Sequence, residues 1–387
     1  MLGLGTRLFI SPESSYGVEV TNNYTNGVSA NAYDPMHTYY IKNNRPSTNF
    51  NYEEVEFLSN SVSRKNIIQK NVSHIEGNFD FNLQTDMTKL FSILTHYPIS
   101  ISDYDIENTL TTEVIEIKTI PNTSNVGSFS NTPELYLGNP IVNKKIINSV
   151  KSSTIIQTLS DKDISTESIN IYKFTGMCPT NFGLNITQDS TIGVNVSYIG
   201  QKEILTSYDF SGNNIHDTYN DVYASWQAEL KIDFNNDTNF TLVPFSDLNL
   251  EVNSNLEFTP HISQDIFNVN RPFFGLKEVI GSFTIEYTDD SYYNMIRDVD
   301  NVNMRIEITN GTSYFHIIMP SVNFLDGGSL NTIASGGMEL DLSFLAKSNS
   351  TTNYIDETGN WETENPTVEE TTFYLPYESD IIFKIKE

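Results

Sequence analysis

The 387-residue chain carries 49 acidic against 22 basic side chains, a formal charge of −27, which excludes sequence-wide attraction to phosphate. Its length allows two or three domains or one large all-β unit with a sizeable core, and its abundance of Phe, Tyr, Ile, Thr, Asn and Ser suits half-buried strands joined by tight turns. Cys178 stands alone, so an intrachain disulfide framework and a cysteine-based zinc site are both excluded.

Residues 1–50 hold few periodic signals and many turn formers, as in NNYTNGVSANAYDPMH, and read as an extended N-terminal arm. The start, MLGLGTRLFISPESSYG, lacks a basic region followed by a sustained apolar one, and no run approaches the roughly 20 apolar residues that span a bilayer. Synthesis in the cytoplasm, without a signal peptide or membrane insertion, is expected.

In IEGNFDFNLQ, Ile75, Gly77, Phe79, Phe81 and Leu83 fall on one face and Glu76, Asn78, Asp80, Asn82 and Gln84 on the other, the pattern of a half-buried antiparallel strand. Thr85 and Asp86 can cap, and Met87, Leu90, Phe91 and Leu94 then follow at the spacing of a short amphipathic helix. The chain says this twice. Val279, Gly281, Phe283, Ile285 and Tyr287 alternate, Asp290 and Ser291 can cap, and Tyr292, Met295, Ile296 and Val299 make the second stripe. A third pair lies downstream, where VNVSYIGQK (194–202) matches LDLSFLAKS (340–348). Three matched elements in one order predict a duplication. The first pair lies about 204 residues apart and the last about 146, so the first copy carries about 58 extra residues between helix and last strand, within 97–169. That excursion contains strand-like TTEVIEIKTI (111–120). Between the copies, ELKIDFNN (229–236), FTLVPF (240–245) and LNLEVNSNLEF (248–258) supply further strands, so a second domain begins near residue 222. ETGNWETENPTVEE (357–370) reads as an acidic linker before a last strand or arm.

Chemistry-bearing motifs are missing from the sequence. The histidines, at 37, 74, 96, 216, 261 and 316, lack the close spacings that put two ligands on one face. DFNNDTN (233–239) places Asp233, Asn235 and Asp237 like the opening of a calcium loop, but Thr238 stands where Gly is required and Pro244 where Glu is required. It reads as a hairpin turn with solvated carboxylates, as does SDYDIEN (102–108). There is no GxxxxGK[ST], no GxSxG and no GxGxxG after a strand, and nothing selects a glycosidase pair from 49 carboxylates. Cys178 in FTGMCPTNF has no nearby His and reads as a small core residue. No catalytic, cofactor-binding or metal residue is expected, and the chain reads as a non-enzyme.

Taken in order, ESSYGVEVT, EGNFDFNLQTDMTKLFSIL and INIYKFTGMCPTNFGLNITQDSTIGVNVSYIGQKE resemble the tail tube proteins of long-tailed bacteriophages. LNLEVNSNLEF, GLKEVIGSFTIEYTDDSYYNMI and FHIIMPSVNFLDGGSLNTIASGGMELDLSFLA follow the closing half of that pattern, so the resemblance covers roughly residues 50–350. It departs in the long excursion and the acidic C-terminal extension. The resemblance implies an all-β protein with two tandem β-sandwich or barrel domains, 51–221 and 222–350, each with a short flanking helix. An N-terminal arm (1–50) and a C-terminal extension (351–387) would complete the chain. It also implies a virion protein whose partners are further copies of itself and other tail proteins such as the tape measure, baseplate and terminator. Six such domains make one ring in this family, so three chains would form a pseudo-sixfold ring, with a six-chain ring as the alternative. Rings stack through a second heterologous contact, and DNA passes through the lumen without specific binding, where an acidic wall would keep it from sticking. The same negative charge also suits a solvated outer face. A glycan-binding β-sandwich adhesin, a decoration protein, a secretion-tube protein and a tail terminator are the competing readings.

Overall fold

The computed structural model describes residues 8–13, 37–39, 47–49, 52–57, 65–70, 74–85, 134–137, 141–142, 145–146, 152–158, 169–208, 216–217, 221–234, 240–257, 272–287, 301–311, 313–325, 329–332, 338–347, 353–355, 361–362, 375–377 and 380–386. Nearly all of these residues are in strands, and the protein is all-β. The one helical element among the described residues is a single 3-10 turn, Ser225–Gln227. Both expected amphipathic helices, the strand expected at 111–120 and the SDYDIEN segment lie outside the described residues.

The first half of the chain contributes β1 (Leu8–Pro12), β2 (His37–Tyr39), β3 (Ser47–Asn49), β4 (Tyr52–Phe57), β5 (Lys65–Lys70), β6 (His74–Asn82), β7 (Glu134–Leu137), β8 (Ile141–Val142), β9 (Lys145–Ile146), β10 (Ser153–Thr158), β11 (Ile169–Thr187), β12 (Gly193–Gly200), β13 (Lys202–Tyr208) and β14 (His216–Asp217). The second half contributes β15 (Ala228–Asp233), β16 (Thr241–Val243), β17 (Asp247–Asn253), β18 (Leu256–Glu257), β19 (Phe273–Phe274), β20 (Glu278–Glu286), β21 (Val302–Asn310), β22 (Ser313–Phe324), β23 (Ser329–Thr332), β24 (Met338–Ala346), β25 (Asn353–Ile355), β26 (Trp361–Glu362), β27 (Leu375–Tyr377) and β28 (Ile382–Lys386).

These strands form a front sheet and a back layer. The front sheet runs β3–β6–β12–β11–β17–β20–β24, with the end of β22 and then β23 along the far side of β24, all antiparallel. Behind it lie β2–β1–β10–β11–β13 from the first half and β16–β15–β21–β22–β28–β7 from the second. Strict alternation explains why the layers stack. Every second residue of β12, and of β24 from Leu340 onward, is buried, and the intervening ones are not, so each front strand turns one apolar row inward. The largest fully buried side chains are Phe79, Phe182, Phe283 and Phe344 from the front sheet and Phe174 and Phe383 from β11 and β28. Each contributes about 1.5–3 kcal/mol by burial. Phe182 meets Phe383 edge-on at 6.0 Å, which seats the last strand of the chain behind the long strand of its first half.

That long strand belongs to both layers. Residues 169–175 of β11 pair with β13 in the back, whereas residues from Cys178 onward pair with β12 in front. The passage is made at Gly176, which takes a left-handed φ of 65° that a side chain would resist, and at a register shift between Pro179 and Asn181 that bends the strand. Glu13 pins the passage: its carboxylate accepts hydrogen bonds from the Gly176 amide at 2.9 Å, Ser152 Oγ at 2.7 Å and Thr154 Oγ1 at 2.9 Å.

The two halves repeat one wiring. β6 pairs with β12 as β20 pairs with β24; β1 joins β2 and β10 as β15 joins β16 and β21; β3 borders β6 as β17 borders β20. β11 corresponds to β22 continued by β23, and β13 to β28. The small ribbons β4–β5 and β18–β19 occupy the same place in each half. Side chains follow suit. Gly77 lies opposite Tyr198 and Gly281 opposite Phe344. A Cβ on Gly281 would lie 2.3 Å from Phe344 Cζ and 2.6 Å from the Asn249 carbonyl oxygen, so the aromatic ring occupies the space that glycine vacates.

Candidate functional site

The face of the front sheet turned away from the core is the most distinctive surface of the molecule. Register places Glu76 and Asp80 of β6, Asp247 and Glu251 of β17, Glu278 and Glu286 of β20, and Glu339 and Asp341 of β24 on this one face. Between them β11 and β12 contribute Asn181, Asn185 and Asn195. No Lys or Arg occupies this face among the described residues.

Three of these carboxylates, Asp80, Glu251 and Asp341, accept hydrogen bonds from neutral donors. Asn195 donates its amide to Asp80, Asn181 donates to Glu251, Asn253 donates to Glu251 at 3.3 Å and Thr284 Oγ1 to Asp341 at 2.6 Å. A neutral donor fixes a carboxylate without cancelling its charge. Its centre is concave: a trough of about 610 Å³ is lined by Asn181, Asn185, Asn195, Asn249, Glu251 and Ser282.

The opposite exposure is different. On the back layer Lys231 bridges Glu307 at 2.6 Å and Glu229 at 3.0 Å. Partial burial works to lower the Lys231 pKa, but its hydrogen bonds to Glu307 and Glu229 outweigh this and raise it. Arg305 lies 4.1 Å from the centre of the Phe240 ring.

The front sheet has two edges. β3 is bordered by β6, and β23 by β24, with no second neighbour among the described residues. Inside the chain, however, strands that hold the corresponding positions are joined. β11 pairs with β17 from Asn181↔Asn253 through Gly183↔Glu251 to Thr187↔Asp247, a continuous antiparallel seam between the halves. β23 stands in the second half where that part of β11 stands in the first, and β3 stands where β17 stands.

The remaining sequence candidates do not converge. Cys178 is buried beside Tyr198, whose hydroxyl pKa is pushed up by burial and then by Cys178. Asp233 is buried at the end of β15 and accepts a long hydrogen bond from Asn303 at 3.4 Å, while 235–239 lie outside the described residues. His316 stacks on Tyr314 at 4.4 Å. His37 and His216 become register neighbours through the parallel pair β2–β14, a proximity that sequence spacing does not reveal. Among the described residues no three His, Cys, Asp or Glu side chains are grouped to hold a metal, and no helix is long and apolar enough to cross a membrane.

A family model described as phage tail tube protein matches residues 3–346. No curated protein matches the chain.

Proposed function

The chain belongs to the phage tail tube protein family, a structural component of the virion tail, and from that premise we propose that it polymerises into stacked rings whose lumen conducts DNA toward the host. The single observation that carries this reading is the internal seam between β11 and β17. A contact that joins two homologous halves through antiparallel pairing can repeat between chains, with β23 of one chain meeting β3 of the next. Repetition closes the front sheets into a barrel and removes the open edges that otherwise invite uncontrolled association.

Because each chain supplies two copies of the wiring, one drawn from β1–β13 and one from β15–β28, three chains complete a pseudo-sixfold ring. The carboxylate face then lines the lumen. Protein cations that contact even about 6–10 phosphates produce strong, salt-dependent retention of DNA, and a wall free of Lys and Arg avoids it. On this reading the chain has no catalytic role and no cofactor. It is made in the host cytoplasm, and its further partners are the tape measure at the lumen and the terminator and baseplate at the tube ends.

Negative-stain electron microscopy across a concentration series, with the mass of the smallest ring, tests the proposal. Hollow stacked rings of three chains are expected. Six chains per ring would remove the pseudo-sixfold arrangement, and monodisperse particles without rings would contradict polymerisation by this chain.

A further inference from the structure

The strands of the front sheet end at two rims, and the rims differ in both charge and apolar exposure. One rim is set by Asn82, Thr187, Gly193, Asp247 and Glu286, which register brings level. Residues 221–227 are laid onto it: the Thr85 amide donates to the Asp221 carbonyl at 3.0 Å, Tyr223 to Leu83 at 2.9 Å and Ser225 to Ser190 at 2.9 Å. From this segment Trp226 projects 81% exposed, with Val222 beside it at 39%. The Trp226 backbone is not loose, since it sits in the 3-10 turn closed by the Gln227 amide on the Ala224 carbonyl at 3.0 Å and by Gln227 Oε1 on the Ala224 amide at 2.8 Å. The ionisable side chains of this rim among the described residues, Asp189, Asp221, Asp247, Glu286 and Glu339, are all acidic.

At the other rim, Gly200, Asn253, Glu278 and Ala346 end the same strands. Here Leu276 is 86% exposed and Phe273 48%. Their loop is also held, by the Gly275 amide on the Asn255 carbonyl at 2.9 Å and by Asn255 Nδ2 on the Leu276 carbonyl at 2.7 Å. This rim carries the cations the first one lacks: Lys202 and Lys347 are exposed beside Glu203, Glu257 and Glu278.

We propose that these rims are the two halves of an axial interface between copies of this chain, with Trp226 and Val222 of one ring seated on Phe273 and Leu276 of the next. A rigidly presented Trp is a frequent anchor of such contacts, and the acidic rim facing Lys202 and Lys347 fixes the polarity of the stack. Because the complementary patches lie at opposite ends of one chain, the contact is head-to-tail and does not close, which yields a filament. Two acidic rims meeting would set carboxylates against carboxylates and leave the lysines of both chains unmatched. This inference rests on the ring reading above and adds its stacking surface.

The test follows Trp226 fluorescence in full-length protein carrying Trp361→Phe, alongside electron microscopy. Tube formation should shift the emission to the blue as Trp226 loses water, and Leu276→Asn should abolish both the shift and the tubes while rings of unchanged mass persist. Asp189→Lys with Asp221→Lys, and separately Lys202→Glu with Lys347→Glu, should each stack poorly alone and form tubes with alternating rings when mixed. Wild-type tubes with unshifted Trp226 emission, or tubes of normal length from Leu276→Asn, would overturn the stacking surface and leave the ring intact. Absence of rings from the wild-type protein would instead overturn the ring reading, and this surface with it.

Discussion

The outward faces of the front sheet and of the back layer are made by the same kind of alternating strand, yet they treat charge in opposite ways. In front, Asp80, Glu251 and Asp341 are tied to Asn and Thr donors; behind, Glu307 and Glu229 are tied to Lys231. Folding does not require this separation, because a half-buried strand needs only that its exposed residues be polar. Salt bridges at partly exposed sites contribute about 0–1 kcal/mol, so stability is nearly indifferent to which face holds the lysines. The absence of cations from the front among the described residues is not demanded by folding, and it suits the proposed channel for DNA.

The largest break in the comparison comes from the strand that supports the front face. Phe283 is buried in β20, between Leu248 of β17 and Leu342 of β24. Phe283→Pro removes a ladder donor and a core ring together, and loss of a buried ring alone costs about 3–5 kcal/mol. Urea unfolding should show loss of the native baseline, with assembly lost as well; normal tubes from this variant would contradict the strand assignment.

Next in size is the passage between the layers. Glu13→Ala leaves the Gly176 amide, Ser152 and Thr154 without their shared acceptor, and charge-assisted bonds of this kind contribute about 1.5–3 kcal/mol each before relaxation. Thermal melts should fall by several degrees, and Glu13→Gln should recover part of the loss.

Lys277 lies where β20 of the front sheet approaches Asp380, just before β28 of the back layer. Burial lowers its pKa to about 7, against the opposing pull of Asp380. The folded state then binds fewer protons than the unfolded one between the folded value and the ordinary 10.5, so stability rises with pH across that window and the penalty is complete below it. Lys277→Met should raise the melting temperature most at neutral pH and flatten this dependence.

The smallest effect on stability should accompany a large effect on how the assembled protein meets DNA. Replacing Asp80, Glu251 and Asp341 together by Lys moves the charge pattern of the back layer onto the front face. Melting should change by little beyond the lost side-chain hydrogen bonds, whereas the assembled protein should retain double-stranded DNA at low salt. Retention should fall with a log–log salt slope of about −0.9 per phosphate contacted.

Much of this was legible in the sequence because β6 and β20 alternate cleanly, and the polar row from Glu76 to Asn82 was visible before any pairing was known. The carboxylate face as a whole was not, since it needs β17 placed between β11 and β20, and pairing partners leave no mark in one sequence. β10 carries no alternation for a physical reason: STIIQT is buried at every position. β3 and β23, with sequences STN and SLNT, are too short and too polar to read as strands, although the proposed assembly depends on them. The role of Glu13 was hidden as well, because its partners lie about 140–160 residues away.

In the proposed ring, β3 and β23 meet between chains in the register of the internal seam. Gly183 lies opposite Glu251 there, and in that proposed ring the same wiring would set Ser329 opposite Ser47 of the neighbouring chain. Ser47→Cys and Ser329→Cys, introduced together with Cys178→Ser, should therefore lie at a cross-strand spacing that a disulfide can bridge. Mild oxidation of assembled protein followed by denaturing mass analysis should give covalent dimers and then closed trimers, all reversed by reductant. A ladder that continues to six chains, or chains that stay monomeric in intact tubes, would contradict the edge-to-edge trimer.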